Sequence, residues 1–584
     1  MPVTNEEVAE RLREIYKLMQ LAGENRFRAI AFDRAAQTIE SLNDDINKYI
    51  ETDTLTNIKG IGASIAEDIK SYAETGTIAI LEDLRDRIPD GIIQWLNISG
   101  LGPKGIAKIH KELGITELDE LKEACKDGRV AGLPGMGEKS AQKILTSIAW
   151  MEQFGERRRL DEATEIAEPL FNFMKNREGV QQIEIAGSLR RSKETIGDID
   201  ILIGAEEQYI NDLFDAFVSH DLVLSVLGRG DTKSSVRTKG GLQTDLRIVQ
   251  PRQFPAALIY FTGSKEHNVV LRQRARERGM ALNEYGLFKL DNEGNTDFFQ
   301  PVEYTSEADI YKKLGLNYIP PELREDRSEF EYFEKHEQMD LVTEEDIQGV
   351  IHAHSTWSDG KYTIRQMAEA CIERGYKYLG ITDHSRTAAY AGGLTEDEVR
   401  RQWEEIDQLN EEFSGSGFRI FKGIESDILS DGSLDYSDEI LEGFDFVIAS
   451  VHQSLEMPRA KIMERFRNAI RHPATRIIGH PTGRLLLKRE GSDLDLNELI
   501  ELAAEHNTAI EINANPHRLD LDWRYGNKAR EVGLMSSINP DAHSVAGIDT
   551  ISYGVRIARK AKFEKERILN TKSADEVNAW FKAR

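Results

Sequence analysis

The sequence predicts a multidomain protein of mixed α+β and α/β class, helical in its N-terminal part and ending in a (β/α) barrel. Three observations predict this. From residue 350 onwards seven short apolar runs recur about every 30 residues, and most end in His, Asp or Glu. That is the spacing of one strand plus one helix, in an architecture whose chemistry sits at the C-terminal strand ends. Between residues 183 and 249, strand-like alternation carries a pair of aspartates on one face. Within residues 1–150, an apolar-x-Gly-apolar-Gly element occurs three times, each time running into a helical stretch.

Taking the chain in order, helical periodicity is clear from Asn5 to Gln20 and from Arg26 to Ile39. The three repeats follow: Ile58-Lys59-Gly60-Ile61-Gly62, Ile98-Ser99-Gly100-Leu101-Gly102 and Leu133-Pro134-Gly135-Met136-Gly137. Glycine at both positions lets another backbone approach closely. Free amides at the start of the following helix can hold a phosphate oxygen, aided by the helix dipole. One such element is usually a tight turn; three at similar spacing favour phosphate binding. The candidate phosphate contacts here are Gly60, Gly62, Gly100, Gly102, Gly135 and Gly137.

Ile183–Ala186 alternates as a strand and runs into Gly187-Ser188-Leu189-Arg190-Arg191. In Gly197-Asp198-Ile199-Asp200-Ile201-Leu202-Ile203 the isoleucines share a core face and Asp198 and Asp200 the other. Two carboxylates about 4 Å apart repel by about 4 kcal/mol at an effective dielectric of 20, so a divalent cation is the economical partner. Asp245, in Thr244–Val249, supplies a third carboxylate; alone it would read as polar decoration.

Tyr318–Arg324 carries a Pro-Pro break, and the acidic stretch to Asp346 reads as an interdomain connector. Beyond it comes V-I-H-A-H-S-T-W-S-D-G at 350–360. His352 and His354 share a strand face, and Asp359 can return from the next turn as an oxygen ligand. Later runs lead to Asp383-His384, Glu425, His452, His480 and Asp541-Ala542-His543, so the strands are expected to ring a cluster of metals.

A chain of 584 residues is too long for one core. Its N-terminus has neither the basic patch nor the apolar core of a signal peptide, and no apolar run is long enough for a bilayer. Two cysteines, Cys125 and Cys371, argue against a disulfide framework and fit a reducing cytoplasm. A net charge of −26 confines nucleic-acid contacts to local basic patches or backbone amides.

The motifs together carry a resemblance. The glycine repeats resemble helix-hairpin-helix elements, which hold DNA backbone without reading sequence. G-S-L-R-R, G-D-I-D, T-D-L-R, Tyr260-Phe261-Thr262-Gly263-Ser264, Asn268 and Asn283-Glu284-Tyr285 resemble, in order and spacing, the nucleotidyltransferase palm and thumb of family X DNA polymerases. Residues 347–584 resemble the PHP (polymerase and histidinol phosphatase) domain of the bacterial members, a distorted (β/α)7 TIM-like barrel. The resemblance implies helical regions at 1–85 and 86–150, a palm at 151–257, a thumb at 258–317, a linker at 318–346 and the PHP domain at 347–584. It implies that Asp198, Asp200 and Asp245 hold two Mg²⁺ ions, and that Gly187, Ser188, Arg191, Gly197 and Gly263 line the triphosphate site. Tyr260 and Phe261 would pack on the sugar, Asn268 would meet the incoming base, and Arg272 the template strand. Arg272, Arg274, Arg276 and Arg278 alternate along a helix, so only some can face DNA. The nine PHP ligands would be His352, His354, Asp359, His384, Glu425, His452, His480, Asp541 and His543; imidazole with carboxylate suits up to three Mn²⁺ or Zn²⁺ ions. His472, His506 and His517 fall outside that set and read as surface or structural; Asp383, Glu511, Asn513 and Asn515 are candidates to support it.

One departure stands out. Where lyase-active relatives carry a Schiff-base lysine this chain has Asp68, and Ser64 replaces the preceding phosphate-contacting lysine, so little lyase activity of that type is expected. The implied protein is a cytoplasmic, monomeric repair enzyme, free of membranes. It fills gaps in gapped or nicked DNA from dNTPs, and its PHP domain is a 3′→5′ exonuclease with a possible abasic-site endonuclease activity. The alternatives are a PHP phosphoesterase for small phosphate esters and a DNA-end scaffold with weak catalysis.

Overall fold

A computed structural model describes residues 3, 5–40, 46–58, 60–98, 101–154, 157–294 and 296–583. The chain divides into two compact units, Met1–Gly155 and Glu156–Arg584.

The first unit is helical. Asn5–Leu21 and Arg26–Glu40 pair along Leu12, Ile15, Leu18, Phe32 and Ile39, and the same core takes Ile65, Ile69, Trp95, Ile106, Ile109 and Ile144 from the later helices. The three glycine elements form one local structure. In each, the amide three residues after the leading Ile or Leu closes a tight turn: Ile61 N–H donates to Ile58 O at 3.1 Å, Leu101 to Ile98 at 3.1 Å and Met136 to Leu133 at 2.9 Å. Gly60 and Gly135 take the left-handed region, with φ of 95° and 76°, which a side chain would strain.

In the second unit, strands β1 (Gln182–Ile185), β2 (Asp198–Gly204), β3 (Val223–Arg229), β4 (Lys233–Thr238) and β5 (Gln243–Val249) form a sheet in the order β1-β2-β5-β4-β3. Only the β2–β5 pair is parallel. Ile199, Ile201 and Ile203 are buried with Leu170, Phe214 and Phe217 of the helices Leu160–Lys175 and Ile210–Val218. Leu202 faces the opposite way, onto Phe254, Ala257 and Leu258 of the helix Phe254–Thr262. Next come the helix Lys265–Glu277, a three-stranded antiparallel sheet (Met280–Asn283, Gly286–Leu290, Thr296–Pro301) and the helix Glu307–Lys313.

The stretch read as a connector is not a free tether. Leu323, Phe330, Phe333 and Leu341 complete the core of Leu271, Leu282, Leu287, Ile310 and Tyr311. Its Glu329 is buried against His267 Nδ1 at 2.9 Å, and its Arg324 lies fully buried on Glu307 at 2.8 Å.

Strands β6 (Gly349–Ala353), β7 (Tyr378–Ile381), β8 (Arg419–Asp427), β9 (Phe446–Ser450), β10 (Thr475–Ile478), β11 (Ala509–Asn513) and β12 (Ser536–Asn539) pair in sequence order, all parallel. These are the seven apolar runs, in a seven-stranded TIM-like barrel. Its seam is closed at both ends by single residues. Beyond β12 the Ala542 backbone bridges β6: its carbonyl accepts from His354 N at 2.9 Å, and its amide donates to His352 O at 3.3 Å. At the other end the fully buried Asn570 amide donates to Gly349 O at 3.0 Å and accepts from Ile538 N at 2.7 Å. The C-terminal helix Ala574–Lys582 adds Phe581, stacked on Phe446 at 4.4 Å between ring centroids, to a cluster with Tyr378, Phe421 and Ile477. That cluster gathers near the N-terminal strand ends, leaving the C-terminal ends for polar groups. No helix among the described residues is long and apolar enough to cross a membrane.

Palm and barrel meet at a buried carboxylate. Trp523 Nε1 and Arg524 donate to Glu194, each at 2.8 Å. Burial favours the neutral acid, but the Arg524 and Arg484 guanidiniums outweigh it and hold Glu194 down at about 2. Glu307 is held at about 2 in the same way, by Arg324 and Arg190 against its burial.

Asn570→Ala strands the Gly349 carbonyl and the Ile538 amide, so denaturant titration should show a loss of about 2–4 kcal/mol. Depressed carboxyls stabilise the fold above their unfolded value of 4.5 and lose that contribution as pH falls towards 2. Each is worth about 3 kcal/mol at neutral pH. Melting temperature should therefore drop between pH about 4.5 and 2, with a smaller drop in Glu194→Gln; an equal drop in that variant would remove Glu194 as a contributor.

Candidate functional site

The barrel's C-terminal end gathers all nine sequence-selected residues. Glu425, 1% exposed at the end of β8, lies at the centre. Its Oε1 is 3.0 Å from His480 Nε2 and 3.3 Å from His452 Nε2; its Oε2 is 3.0 Å from His384 Nδ1, 3.6 Å from His352 Nε2 and 3.7 Å from His354 Nε2. Asp541 Oδ1 lies 3.1 Å from His354 and 3.5 Å from His352. Asp359 Oδ1 lies 3.3 Å from His543 and 3.7 Å from His384.

Three overlapping groups among the described residues bring their ligand atoms within 4.8 Å: His354 with Asp359, His384 and His543; His352 with His354 and Asp541; His384 with Glu425 and His452. His480 joins through Glu425 and by its ring against His452, 5.1 Å between centroids. His352 Nε2, His354 Nδ1 and His480 Nδ1 are buried without a hydrogen-bond partner. Unpartnered buried imidazole nitrogens are costly, and divalent cations fit this donor set.

The charges are strongly coupled. Burial, then His543 and His384, push His354 down to about 3. Burial opposes a charge on His452, but Glu425 and Asp427 raise it to about 10. Glu425 and Asp541 stay well below the carboxylate range despite burial, because imidazoles surround them.

The donors are held from behind. Glu511 Oε1 takes His352 Nδ1 at 2.6 Å, and Glu511 Oε2 accepts from His480 N at 2.7 Å. Asn513 donates to Asp541 at 3.1 Å. The Asp383 carbonyl accepts from Glu425 N at 3.1 Å, and its carboxylate fixes the loop between His354 and Asp359, accepting from Ser355 N at 2.8 Å, Ser358 Oγ at 2.5 Å and Gln402 at 2.7 Å. Asn515 caps a turn at His517 N, 3.0 Å away. Asp427, which orients His452 from 2.6 Å, escaped the sequence reading. A signal existed: it stands two residues past Glu425 on the same strand. His472 pairs with Asp438 at 3.2 Å, away from the cluster.

In the palm, β2 and β5 place Asp200 directly opposite Asp245, while Asp198 faces Gln243. Burial, then the Asp198 and Asp245 charges, push Asp200 up to about 7. The Lys233 ammonium sits on Asp245, and Gln243 donates to it at 3.0 Å. The three carboxylates are not among the gathered ligand groups of the described residues. A Cβ on Gly187 would meet Asp200 Oδ2 at 2.5 Å, so only glycine fits there. Gly197 lies against Arg157, and Ser188 O accepts from Lys193 N at 3.1 Å. Arg191 donates to Thr262 O and, at 3.0 Å, to Glu325; a Cβ on Gly263 would come within 3.1 Å of its guanidinium. Tyr260 is 37% exposed, edge-on to Phe261, which lies under Arg247. Asn268 donates to Tyr260 O at 2.8 Å. Arg272 is exposed, whereas Arg274 is tied to Glu334.

In the first unit, Gly62 and Gly102 cap the N-termini of Ala63–Thr75 and Pro103–Leu113, and Gly137 precedes Glu138–Phe154. A Cβ on any of the three would meet nothing within 4 Å, so these helix starts are open to a ligand. Gly100 lies outside the described residues. Burial raises the Asp68 carboxyl, and Lys70 is held as an ammonium by Asp53.

Comparison with known proteins follows the same division. Residues 3–78 match a helix-hairpin-helix domain, 94–149 a SAM-like helix-hairpin-helix tandem, 257–325 a DNA polymerase beta thumb and 351–515 a PHP domain. Asp541 and His543 lie beyond the last of these matches. The chain is 40% identical over 573 residues, 98% of either chain, to the DNA polymerase/3′-5′ exonuclease PolX of Bacillus subtilis (strain 168). It is 27% identical to DNA polymerase lambda of Rattus norvegicus over 55% of this chain and 56% of that one. A probable phosphatase of Caldanaerobacter subterraneus matches 39% of this chain, with 89% of its own length, at 26% identity. With a full-length relative on one side and thumb, hairpin and PHP matches on the other, the chain belongs to the bacterial family X DNA polymerases that carry a C-terminal PHP domain.

Proposed function

We propose that this chain is a gap-filling DNA-directed DNA polymerase of DNA repair with a 3′→5′ exonuclease in its barrel. The observation that supports it most is the presence in one chain of a β2–β5 carboxylate pair beside a glycine-lined loop and a nine-residue imidazole–carboxylate cluster. The sequence divides at 1–85, 86–150, 151–257, 258–317, 318–346 and 347–584, and the enzyme works as a cytoplasmic monomer on gapped or nicked DNA.

Asp198, Asp200 and Asp245 would hold two Mg²⁺, and the nine barrel residues up to three Mn²⁺ or Zn²⁺. The ions would supply Lewis-acid activation of the attacking oxygen and neutralise the phosphate charge. The chain's own residues do the rest. Gly187 keeps the loop close to Asp200, Arg191 and Ser188 meet the triphosphate, and Lys233 restrains Asp245. Tyr260 and Phe261 pack on the sugar, Asn268 meets the base, and Arg272 the template. Gly60, Gly62, Gly100, Gly102, Gly135 and Gly137 let amides reach backbone phosphates. In the barrel, Glu511 and Asp427 fix the tautomers of His352 and His452, so the opposite ring nitrogens face the cluster. A second reading, hydrolysis of small phosphate esters, is favoured by the likeness to a probable phosphatase.

A labelled primer at a short gap, with Mn²⁺, should lengthen with dNTPs and shorten without them. Asp198→Ala with Asp200→Ala should abolish lengthening and spare shortening; His352→Ala with His354→Ala should do the reverse. Loss of both activities from either pair in a folded protein would refute two separate sites. Faster hydrolysis of a free phosphomonoester than of DNA would favour the second reading.

On an incised abasic substrate, borohydride should trap little protein, since Asp68 cannot form an imine and Lys70 is occupied by Asp53. Efficient trapping that Lys70→Ala removes would overturn this.

A further inference from the structure

The nucleotide loop of the palm is fastened to the barrel by side chains that nucleotidyl transfer does not otherwise require. Lys560 ends the barrel helix Ile551–Lys560, and its side chain is 0% exposed. Its ammonium reaches out of the barrel and donates to Glu325 Oε1 at 2.7 Å, to Arg191 O at 2.9 Å and to Glu322 O at 3.2 Å. The same Glu325 oxygen accepts from Arg191 Nε at 3.0 Å, while Lys193 approaches its other oxygen at 3.5 Å. Lys560 thus grips Arg191 twice, once at the backbone and once through the carboxylate that aims the guanidinium. Trp523 completes the clamp, with Lys560 and Lys193 over its ring at 4.3 and 5.2 Å and its indole N–H on Glu194.

We propose that Lys560 of the barrel, acting through Glu325, is a positioning residue for nucleotidyl transfer: it sets the Arg191 guanidinium that receives the dNTP triphosphate. The inference rests on the reading of Arg191 given above. A side chain this buried has few alternative rotamers, and its three acceptors are fixed backbone or paired groups, so Arg191 is pre-organised before the nucleotide arrives. The barrel thereby serves the polymerase site independently of its own hydrolytic cluster.

The test measures single-nucleotide gap filling and primer shortening in the full-length enzyme for Arg191→Ala, Lys560→Met, Glu325→Gln and the double variant Arg191→Ala/Lys560→Met. Lys560→Met and Glu325→Gln are each expected to raise KM for dNTP about tenfold, with a smaller change in kcat. Shortening without dNTPs stays at the parent rate, which also reports that the barrel is folded. The double variant should be no worse than Arg191→Ala alone. An unchanged KM in both single variants, with Arg191→Ala impaired, would overturn the inference while leaving the reading of Arg191 intact. Equal loss of lengthening and shortening would also overturn it, by exposing a merely structural role. An unimpaired Arg191→Ala would refute the reading of Arg191, and this inference with it.

Discussion

A carboxylate buried among imidazoles governs the barrel. Glu425 is almost wholly buried, yet five histidine rings stand within 3.0–3.7 Å of its oxygens. A lone charge in such a place would carry a desolvation penalty of several kcal/mol. Here the penalty is offset only because strands β6 to β10 deliver their C-terminal ends to one point. Register is therefore not free: a one-residue slip in any strand would turn its donor away from the cluster. The seam contacts of Ala542 and Asn570 serve the same end, since Ala542 stands between Asp541 and His543 and closes the ring where those donors enter.

The same rule, that buried charge demands a partner, organises the join between palm, thumb and barrel. Glu194, Glu307 and Glu329 are buried and Glu325 half-buried, and each meets a cation, an indole N–H or an imidazole from a different part of the chain. Removing one partner would leave its mate uncompensated, which is costlier than losing an exposed bridge. Charge pairs of this kind are exacting about geometry. That makes them suited to holding a loop whose position, not whose burial, matters for chemistry.

What the sequence disclosed follows from what is local. The period-two alternation of Ile199, Ile201 and Ile203 fixed a strand and its faces; the recurring apolar runs marked all seven barrel strands; the donors at their ends identified the cluster. The stretch read as a connector packs into the thumb core, and its Glu325 and Glu329 are neutralised by residues that no local window contains, Lys560 and Arg191 for the one and His267 for the other. Asp427 went unnoticed because its partner, His452, is on another strand. Lys233 as the companion of Asp245, and Asn570 as the barrel's clasp, are likewise products of pairing that no local window contains. The triplet of palm carboxylates was legible as types in order, but the contacts of Lys233 and Gln243 to Asp245 were not.

The strongly negative charge bears on how such a chain grips a polyanion. Counterion release from a broad basic face is closed to a protein of net charge −26. The three hairpins offer another route. Gly62, Gly102 and Gly137 present helix N-termini with open space where a side chain would stand. Backbone amides and helix dipoles attract phosphate without adding net charge, and they read no base. Because each amide contributes a hydrogen bond rather than a released counterion, affinity built this way depends less steeply on salt than affinity built on lysines. A repair enzyme that must accept any sequence at a gap gains from that: grip is spread over short rigid elements, and the acidic centres stay free for metal and nucleotide.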